Sequence, residues 1–375
     1  MMVTEVLTSV AGGVGLITLN RPKALNALSL PMVEVLLATL RGWRDDPQVL
    51  AVAIRGSNKI GQPGSPEALF GGFCAGGDIR FFHQAALTGE VALEAFFTQE
   101  YTLNHLIHTY PKPYIAFMDG VVMGGGMGLS QGASLRIVTE KTKMAMPETG
   151  IGLFPDVGGG YFLSRCPGHV GEYLALSGET LGGPQAVAWG LADVCVPSDD
   201  LPRHWAALQS CASLDALQQW IASNRIAANA LSTGVAASFD AKIEAAFGLP
   251  TVAAIVSALE AQGTKPARAV AATLRQRSPL MLHVVLEQIR RARTMTLADD
   301  LRMERNMVQH CFYTTHLGRT ASSSETVEGI RALAVDKDFK PQWNPKRIED
   351  VTPAMVQPFF VSPWTDLGHP LKDLA

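Results

Sequence analysis

Two short apolar runs, residues 50–55 and 114–118, constrain the fold of this chain more than any other feature. Each run is almost wholly apolar, as expected of a β-strand that is covered on both faces. Residues 3–19 alternate in character and break at Gly12 and Gly13, which predicts a β-hairpin. The sequence therefore predicts a largely buried sheet that begins with a hairpin.

Helical segments separate and follow these strands. Ser29 is expected to cap a helix that ends near Trp43, and residues 91–110 predict a second helix. Residues 161–177 also have a helical pattern, and residues 201–310 are rich in Ala and Leu without strand signals. The order strand, strand, helix, strand predicts a layered α/β domain followed by packed helices.

The length and composition allow two domains. The chain has 375 residues, of which 47% are hydrophobic and 17% are charged, enough to bury a large core. We expect an α/β core over residues 1–199 that carries the functional site. Residues 200–375 are expected to form a mainly helical C-terminal region with a closing tail.

Charge and hydropathy argue against several classes of partner. The formal net charge is −3, and no run of Lys and Arg is interleaved with aromatic residues, so no nucleic-acid partner is expected. No apolar stretch approaches the roughly 18 residues that a membrane span needs. The histidines form no cluster with acids or cysteines of the kind that binds a metal ion, so no metal is expected either.

The cysteines and the first residues bear on the cellular compartment. The five cysteines are scattered and include no CxxC pair, which indicates reduced thiols. Strand-like residues start by Val3, and neither a signal peptide nor an Arg-rich transit peptide is evident. We therefore expect a cytoplasmic protein, or one of the mitochondrial matrix if the host is eukaryotic.

Two carboxylates lie in a nearly uncharged stretch, residues 144–163, that is punctuated by Gly and Pro. Glu148 and Asp156 are eight residues apart, and each directly follows a proline that an apolar residue precedes. A carboxylate held against apolar walls has its ionisation tuned by desolvation and by its neighbours, which is how acid/base pairs arise. A structural alternative is that Glu148 caps a short turn and Asp156 caps a helix that begins near Val157.

Two glycine-rich turns stand between predicted strands and helices. The first, residues 73–79, reads Phe-Cys-Ala-Gly-Gly-Asp-Ile, and Asp78 is expected to cap the following helix. The second, residues 119–129, is a glycine cluster that is neither a dinucleotide fingerprint nor a P-loop. Backbone amides that no Cβ obstructs can donate hydrogen bonds to a ligand oxygen. Conformational need alone also explains a Gly-Gly-Asp turn, so both interpretations stay open.

Six motifs carry a likeness to one known family: residues 73–79, 123–126, 146–149, 154–159, 328–332 and 336–338. In combination they resemble the crotonase superfamily of enoyl-CoA hydratases and isomerases, and within it the hydrolases of 3-hydroxyisobutyryl-CoA. The resemblance covers nearly the whole chain. It implies an α/β fold, a crotonase-like spiral of ββα units with a helical C-terminal part, and a coenzyme A thioester in the cleft.

The resemblance also implies roles for individual residues. Gly77 and Gly125 would donate their amides to the oxyanion that forms when a thioester carbonyl is attacked. Glu148 would be the principal catalytic carboxylate, and Asp156 would be its acid/base or substrate-orienting partner. The implied substrate-binding positions are Glu100, Gly76, Gly124, Lys23, Ala24 and Leu25. Coenzyme A is part of the substrate, so no separate cofactor is implied.

The implied activity is hydrolysis of a short branched 3-hydroxyacyl-CoA thioester, with 3-hydroxyisobutyryl-CoA of valine breakdown as the leading substrate. Glu148 would either attack the carbonyl to form a mixed anhydride or activate a water molecule, and the sequence leaves both routes open. The acyl-CoA is the expected partner, and a homo-oligomer is left open.

Two departures from the family pattern bear on the alternatives. Enoyl-CoA hydratases carry a second glutamate three residues beyond the oxyanion glycine, where this chain has Gly128. The loop over residues 57–72 also looks longer than is typical of the hydrolases, which puts substrate selectivity in question. The alternative functions are an enoyl-CoA hydratase or isomerase and a non-catalytic acyl-CoA-binding homologue.

Overall fold

The computed structural model describes residues 4–60, 69–211, 213–232 and 240–375. The chain forms two compact units. The sheet unit comprises residues 1–77, 102–145 and 180–237, and the helical unit comprises residues 78–101, 146–179 and 238–375. The two units therefore alternate along the chain, and the predicted boundary between residues 199 and 200 stays a prediction.

All strands of the described residues belong to the sheet unit. They are β1 (Val6–Ala11), β2 (Val14–Leu19), β3 (Ala51–Gly56), β4 (Tyr114–Met118), β5 (Val121–Met123), β6 (Leu135–Val138), β7 (Lys143–Ala145) and β8 (Val194–Cys195). Six of them form one sheet in the order β1-β2-β3-β4-β6-β8, in which the β1–β2 pair is antiparallel and the other pairs are parallel. β5 and β7 form a separate parallel pair.

The central strands are buried because nearly all their side chains are apolar. β2 and β4 are buried along their whole length, and β3 is buried except at Arg55. Both predicted apolar runs are thus confirmed as strands covered on both faces. β1 pairs with β2 from Val6 opposite Leu19 to Ala11 opposite Val14, which confirms the hairpin.

The α-helices follow one another along the whole chain. They are α1 (Leu30–Asp45), α2 (Ile79–Thr88), α3 (Ala92–His108), α4 (Gly125–Gly128), α5 (Gly159–Leu163), α6 (Val170–Ser177), α7 (Gly183–Ala188), α8 (Leu201–Gln209), α9 (Leu214–Ser232), α10 (Ala241–Phe247), α11 (Val252–Ala261), α12 (Lys265–Gln276), α13 (Pro279–Ala292), α14 (Leu297–Phe312), α15 (Glu325–Ile330) and α16 (Pro353–Val356). Residues 201–310 are helical as predicted wherever the structure describes them, apart from short connections.

Local capping sets the start of two helices as predicted. Ser29 Oγ accepts a hydrogen bond from Met32 N–H at 3.4 Å at the start of α1. Asp78 Oδ1 accepts one from Phe81 N–H at 3.4 Å at the start of α2. Each side chain satisfies one of the amide groups that a helix leaves unpaired at its N-terminus.

The helical unit packs α13 against α5 and α6. The prediction of one helical segment over residues 161–177 is wrong, because α5 ends at Leu163 and α6 begins at Val170. Pro167 lies between them, and a proline lacks the N–H that a helix interior needs. The short helix α5 therefore begins three residues after Asp156 and ends before the break.

In the described part of the chain, no helix is both long and apolar enough to cross a bilayer. Those residues also hold no group of three or more His, Cys, Asp or Glu side chains that could bind a metal ion. The five cysteines are free thiols. Half of the predicted long loop, residues 61–68, lies outside the described residues.

Candidate active site

The three acidic side chains that the sequence singled out are buried in the helical unit. Glu100 lies on α3, Glu148 opens the short 3-10 helix Glu148–Ile151, and Asp156 precedes α5. Glu100 is 2% exposed, and Glu148 and Asp156 are each 6% exposed. Acids are rarely buried to this degree unless they are paired or hydrogen-bonded. We call these three residues the acid cluster.

The Asp156 side chain is held by a tyrosine and does not cap a helix. Tyr101 Oη donates a hydrogen bond to Asp156 Oδ2 at 3.0 Å, and both side chains are buried. The N-cap of α5 is Gly158, and no side chain of its own segment caps that helix. The capping alternative for Asp156 is therefore wrong.

Glu148 also fails to act as a cap. The 3-10 helix Glu148–Ile151 has no side-chain capping hydrogen bond. Glu148 Oε2 is buried and has no hydrogen-bond partner among the described residues, and the same holds for Glu100 Oε1. A buried carboxyl oxygen without a partner costs free energy, typically about 1–3 kcal/mol, and such atoms in native structures often mark places where a ligand binds.

Burial and mutual repulsion make the acid cluster retain protons. Burial raises the pKa of Asp156 from 3.8 to about 7, although hydrogen bonds from Tyr101 and from the Asp156 backbone lower it. Burial raises the pKa of Glu148 well above its ordinary value, and the charge of Asp156 raises it further. The pKa of Glu100 is raised by burial and then by the charges of Asp156 and Glu148. Such a cluster can accept and release protons near neutral pH.

The two glycine turns of the sheet unit lie side by side. A Cβ on Gly76 would lie 3.3 Å from Met123 O and 3.5 Å from Gly125 N. Gly76 has φ +99°, and Gly124 has φ 48° and ψ −120°, so both positions have backbone conformations that favour glycine. The sequence motifs around Gly77 and Gly125 are thus brought together within this unit.

The amides at Gly77 and Gly125 remain available. Among the described residues, none accepts a hydrogen bond from Gly77 N–H or from Gly125 N–H. Gly125 is the first residue of α4 and is buried, whereas most buried amides in proteins are paired. The two N–H groups can therefore donate to an oxygen atom of a ligand.

The predicted coenzyme A segment lies beside the first glycine turn. Leu25 O accepts a hydrogen bond from Ala75 N–H at 3.0 Å, and Gly76 O accepts one from Leu28 N–H at 2.8 Å. Lys23 and Ala24 belong to the short 3-10 helix Pro22–Ala24, directly before Leu25. The structure thus brings Lys23, Ala24 and Leu25 close to the turn that carries Gly77.

A cavity of about 640 Å³ lies against the same segment. Its lining includes Arg21 and Lys23 together with apolar side chains of α1 and β1. Arg21 is already engaged, because its Nε lies 3.2 Å from Glu5 Oε1 and its Nη1 donates to Ala27 O at 3.0 Å. Lys23 is exposed and is the better candidate of the two for a phosphate contact.

Two residues of these regions escaped the sequence analysis. Tyr101 was missed although it directly follows Glu100, because its partner Asp156 is 55 residues further along the chain. Asn26 is fully buried, and its Nδ2 donates to Ser57 O at 2.8 Å and to Gly72 O at 2.9 Å. A positive φ of 55° at Asn26 would have been the signal, but φ cannot be read from a sequence.

Comparisons with known proteins give a consistent picture. The family profile described as "Enoyl-CoA hydratase/isomerase" matches residues 14–360. The chain is 39% identical over 362 residues to "3-hydroxyisobutyryl-CoA hydrolase, mitochondrial" of Xenopus tropicalis, covering 96% of this chain and 89% of the relative. It is 38% identical over 390 residues to "Probable 3-hydroxyisobutyryl-CoA hydrolase 2" of Arabidopsis thaliana, covering 99% and 96% respectively.

A solved structure matches the fold over nearly the whole chain. It is the crystal structure of a carnitinyl-CoA dehydratase from Mycobacterium thermoresistibile, with a TM-score of 0.79 and 35% sequence identity. The match covers 99% of this chain and 100% of that one. The predicted fold class is therefore confirmed.

Proposed function

Because the chain belongs to the enoyl-CoA hydratase/isomerase family, we propose that it hydrolyses 3-hydroxyisobutyryl-CoA to 3-hydroxyisobutyrate and coenzyme A, a step of valine catabolism. The observation that carries this proposal is the near full-length similarity to relatives that are named as hydrolases of this thioester. The acid cluster and the two unpaired amides support it, since they are the groups that thioester cleavage requires.

The amides of Gly77 and Gly125 are assigned to the carbonyl oxygen of the thioester. Attack on the carbonyl carbon moves negative charge onto that oxygen, and preorganised N–H groups stabilise the charge as it develops. Removal of one such donor typically costs about 3 kcal/mol of transition-state stabilisation. Gly76 and Gly124 have no side chain, and they are assigned as the neighbouring positions that let the thioester group of the substrate approach these amides.

Glu148 is assigned to the attack on the carbonyl carbon. In one route its carboxylate forms a mixed anhydride as the carbon–sulfur bond breaks, and water then cleaves the anhydride. In the other route Glu148 takes a proton from water, and the resulting hydroxide attacks the carbonyl directly. Both routes need ionised Glu148, and its raised pKa makes it a stronger base once the proton has left.

Asp156 and Glu100 are assigned to proton movement and substrate orientation. Asp156 has a pKa of about 7, so it can both release and take up a proton at neutral pH. Departing coenzyme A thiolate needs a proton, and Asp156 with Tyr101 is suited to supply it. Glu100 is assigned to the hydroxyl group of the acyl chain, because its unpartnered buried oxygen can accept a hydrogen bond.

Lys23, Ala24 and Leu25 are assigned to the coenzyme A part of the substrate. The exposed ammonium group of Lys23 is suited to the phosphates. The carbonyl oxygens of Ala24 and Leu25 each accept one hydrogen bond within the protein, and their second lone pairs are assigned to the adenine or the pantetheine chain. Coenzyme A enters as part of the substrate, and the assignment uses no separate cofactor. A homo-oligomer and a location in the cytoplasm or the mitochondrial matrix stay predictions.

Hydration of an enoyl-CoA is the second candidate function, because the matched crystal structure is named a dehydratase. Hydration of a C=C bond by this family uses two carboxylates, and the second is expected three residues beyond Gly125. This position is Gly128, a buried glycine of α4 that offers no side chain. Thioester hydrolysis needs no carboxylate at that position, so hydrolysis is favoured.

The test is a parallel assay of one purified sample. Release of free thiol is followed with 3-hydroxyisobutyryl-CoA, and loss of the enoyl absorbance is followed with crotonyl-CoA. We expect rapid thiol release and negligible hydration, with isobutyryl-CoA as the control that lacks the hydroxyl group. Consumption of crotonyl-CoA with thiol release at the uncatalysed rate would assign the chain to hydration. Saturable binding of both esters without turnover would indicate a binding protein.

A further inference from the structure

Helix α14 carries two buried acids that the proposed chemistry does not use. Asp300 and Glu304 are fully buried, and their spacing of four residues places them on one face of the helix. Burial raises the pKa of Asp300 to about 6 and that of Glu304 well above its ordinary value. Two acids that cost free energy to bury need a structural or functional reason.

Both acids accept hydrogen bonds from the start of α5. Glu304 Oε2 accepts from Gly158 N–H at 2.8 Å, and Glu304 Oε1 accepts from Gly160 N–H at 2.9 Å. Asp300 Oδ2 accepts from Tyr161 N–H at 2.8 Å. These are the amides that the N-terminus of a helix leaves without an internal partner. Helix α5 is therefore capped by carboxylates that lie about 140 residues later in the chain.

A glutamine fixes the other side of the same turn. Gln288 Nε2 donates to Pro155 O at 2.7 Å and to Glu304 Oε1 at 3.1 Å. Asp156 lies between Pro155 and the capped amides, so its backbone is held on both sides. Val157 next to it has φ 57°, a conformation that a β-branched residue adopts at a cost of order 1–3 kcal/mol and only when its surroundings enforce it.

This arrangement removes a hydrogen-bond donor that would otherwise compete with Tyr101 for the Asp156 carboxyl. An aspartate commonly accepts a hydrogen bond from the amide two residues further on, as an Asx-turn. For Asp156 that amide is Gly158 N–H, which Glu304 already occupies. The Asp156 carboxyl consequently faces Tyr101 Oη instead of its own turn.

We propose that Glu304, together with Asp300, is a positioning residue for Asp156: the two cap α5 in its place and leave the Asp156 carboxyl free for proton transfer. The catalytic part of this inference rests on the proposed hydrolase function. Neither acid is assigned a contact with substrate.

Glu304→Gln tests the proposal with little change in shape. Oε1 receives hydrogen bonds from both Gly160 and Gln288, so the amide oxygen of the new side chain should take that position. The NH₂ group of the new glutamine then faces Gly158 N–H. Gly158 N–H loses its acceptor and can donate a hydrogen bond to the Asp156 carboxyl instead. We expect kcat for thiol release to fall about 10- to 100-fold, as misplacement of a catalytic group does, while KM changes less than about threefold.

A double-mutant cycle separates positioning from general destabilisation. If Glu304 acts through Asp156, Glu304→Gln should cost little further activity in an Asp156→Asn background. Full additivity of the two losses would overturn the proposal. The matched control is Glu172→Gln, which changes another buried acid of the helical unit. Its hydrogen-bond partners among the described residues are Arg293 at 2.6 Å and His169 at 3.4 Å. This control should lower stability and leave kcat and KM near the wild-type values.

A second readout does not depend on turnover. Titration of protein labelled with ¹³C at the aspartate carboxyls reports the pKa of Asp156, whose signal is assigned by its loss in Asp156→Asn. A hydrogen bond from Gly158 N–H to the Asp156 carboxylate stabilises its charged form, so in Glu304→Gln the pKa of Asp156 should fall by about one unit or more. An unchanged titration would overturn the proposal. If wild type releases no thiol, the proposed function fails, and this titration still decides the positioning role.

Asp300→Asn and Gly160→Ala keep the proposal testable if Glu304→Gln does not fold. An added Cβ on Gly160 would lie 2.3 Å from Asp300 Oδ1, so Gly160→Ala pushes the turn away from its cap without altering either acid. Gly160→Ala should lower the pKa of Asp156 in the same titration, whereas Asp300→Asn, which leaves the hydrogen bond between Gly158 N–H and Glu304 in place, should lower it less. A folded Gly160→Ala variant with an unshifted Asp156 signal would refute the proposal as well.

Discussion

Asp156→Asn should stabilise the protein while it impairs catalysis. In the folded chain the Asp156 carboxyl is buried, and its pKa is raised from 3.8 to about 7. The folded state therefore holds this proton over a pH range in which the unfolded chain has already released it. The contribution of Asp156 to the free energy of unfolding is fully present below about pH 4 and is lost as the pH rises through about 7.

The size of the effect follows from the same values. A rise in pKa from 3.8 to about 7, at about 1.4 kcal/mol per pKa unit, corresponds to about 4 kcal/mol of lost stability above pH 7. Asn is neutral at every pH, and its Oδ1 can still accept the hydrogen bond of Tyr101. At pH 8 the variant should be more stable by up to about 4 kcal/mol, and the gain should shrink towards zero near pH 4.

Thermal unfolding of wild type and variant at pH 4.5 and pH 8 measures this gain. With an unfolding entropy of about 2.1 cal/mol/K per residue over 375 residues, the Tm should rise by about 5 °C at pH 8. The control is Glu172→Gln, whose acid pairs with Arg293, so its loss should lower the Tm. An Asp156→Asn variant that melts lower at pH 8, or whose gain is independent of pH, would refute the reasoning.

Four further outcomes are expected. Glu148→Gln should lose about 10³-fold or more of thiol release while still binding coenzyme A esters, which a turnover assay and a binding assay on the folded variant would check. In wild type, kcat/KM should rise with pH through the raised pKa of Glu148, because attack needs its ionised form. Tyr101→Phe removes a hydrogen bond that lowers the pKa of Asp156. The part of the pH dependence of thiol release that Asp156 controls should therefore shift to higher pH. Gly125→Val should reduce turnover by about 100-fold or more with a smaller effect on melting, and unchanged turnover would remove Gly125 from the oxyanion assignment.

The elements that the sequence predicted correctly depend on contacts between near neighbours. Ser29 and Asp78 cap their helices through amides three residues further on, which a local pattern can reveal. The apolar runs at β3 and β4 signal burial without any knowledge of what covers them. Pro167 was a local signal too, and it marks the break between α5 and α6 that the helical pattern of residues 161–177 obscured.

The environment of Asp156 could not be predicted in the same way. Local chemistry favours an Asx-turn or a helix cap at this residue, and in both the carboxyl would accept a hydrogen bond from a nearby backbone amide. The outcome is decided by Glu304, 146 residues from Gly158, and by Tyr101, 55 residues from Asp156. No periodic pattern in one sequence identifies such partners, because α14 carries its acids at a spacing that is equally typical of an exposed face.

Among the described residues, the absence of a paired cation distinguishes the acid cluster from two other acids of the helical unit, Glu94 and Glu172. Glu172 pairs with Arg293, and Glu94 pairs with Arg305, so each of these carboxylates is neutralised by a fixed positive charge. Among the described residues, no Lys or Arg forms an ion pair with any of the three acids of the cluster.

A proton is then the remaining means of neutralising the acid cluster, and burial determines how readily that proton leaves. An arginine in the cluster would lower the pKa values, make the fold more stable at neutral pH and leave weaker bases. The destabilisation expected from Asp156 at pH 8 is therefore the same free energy that makes the cluster able to exchange protons with a reacting thioester. Substitutions that relieve it should stabilise the fold and lower the rate together.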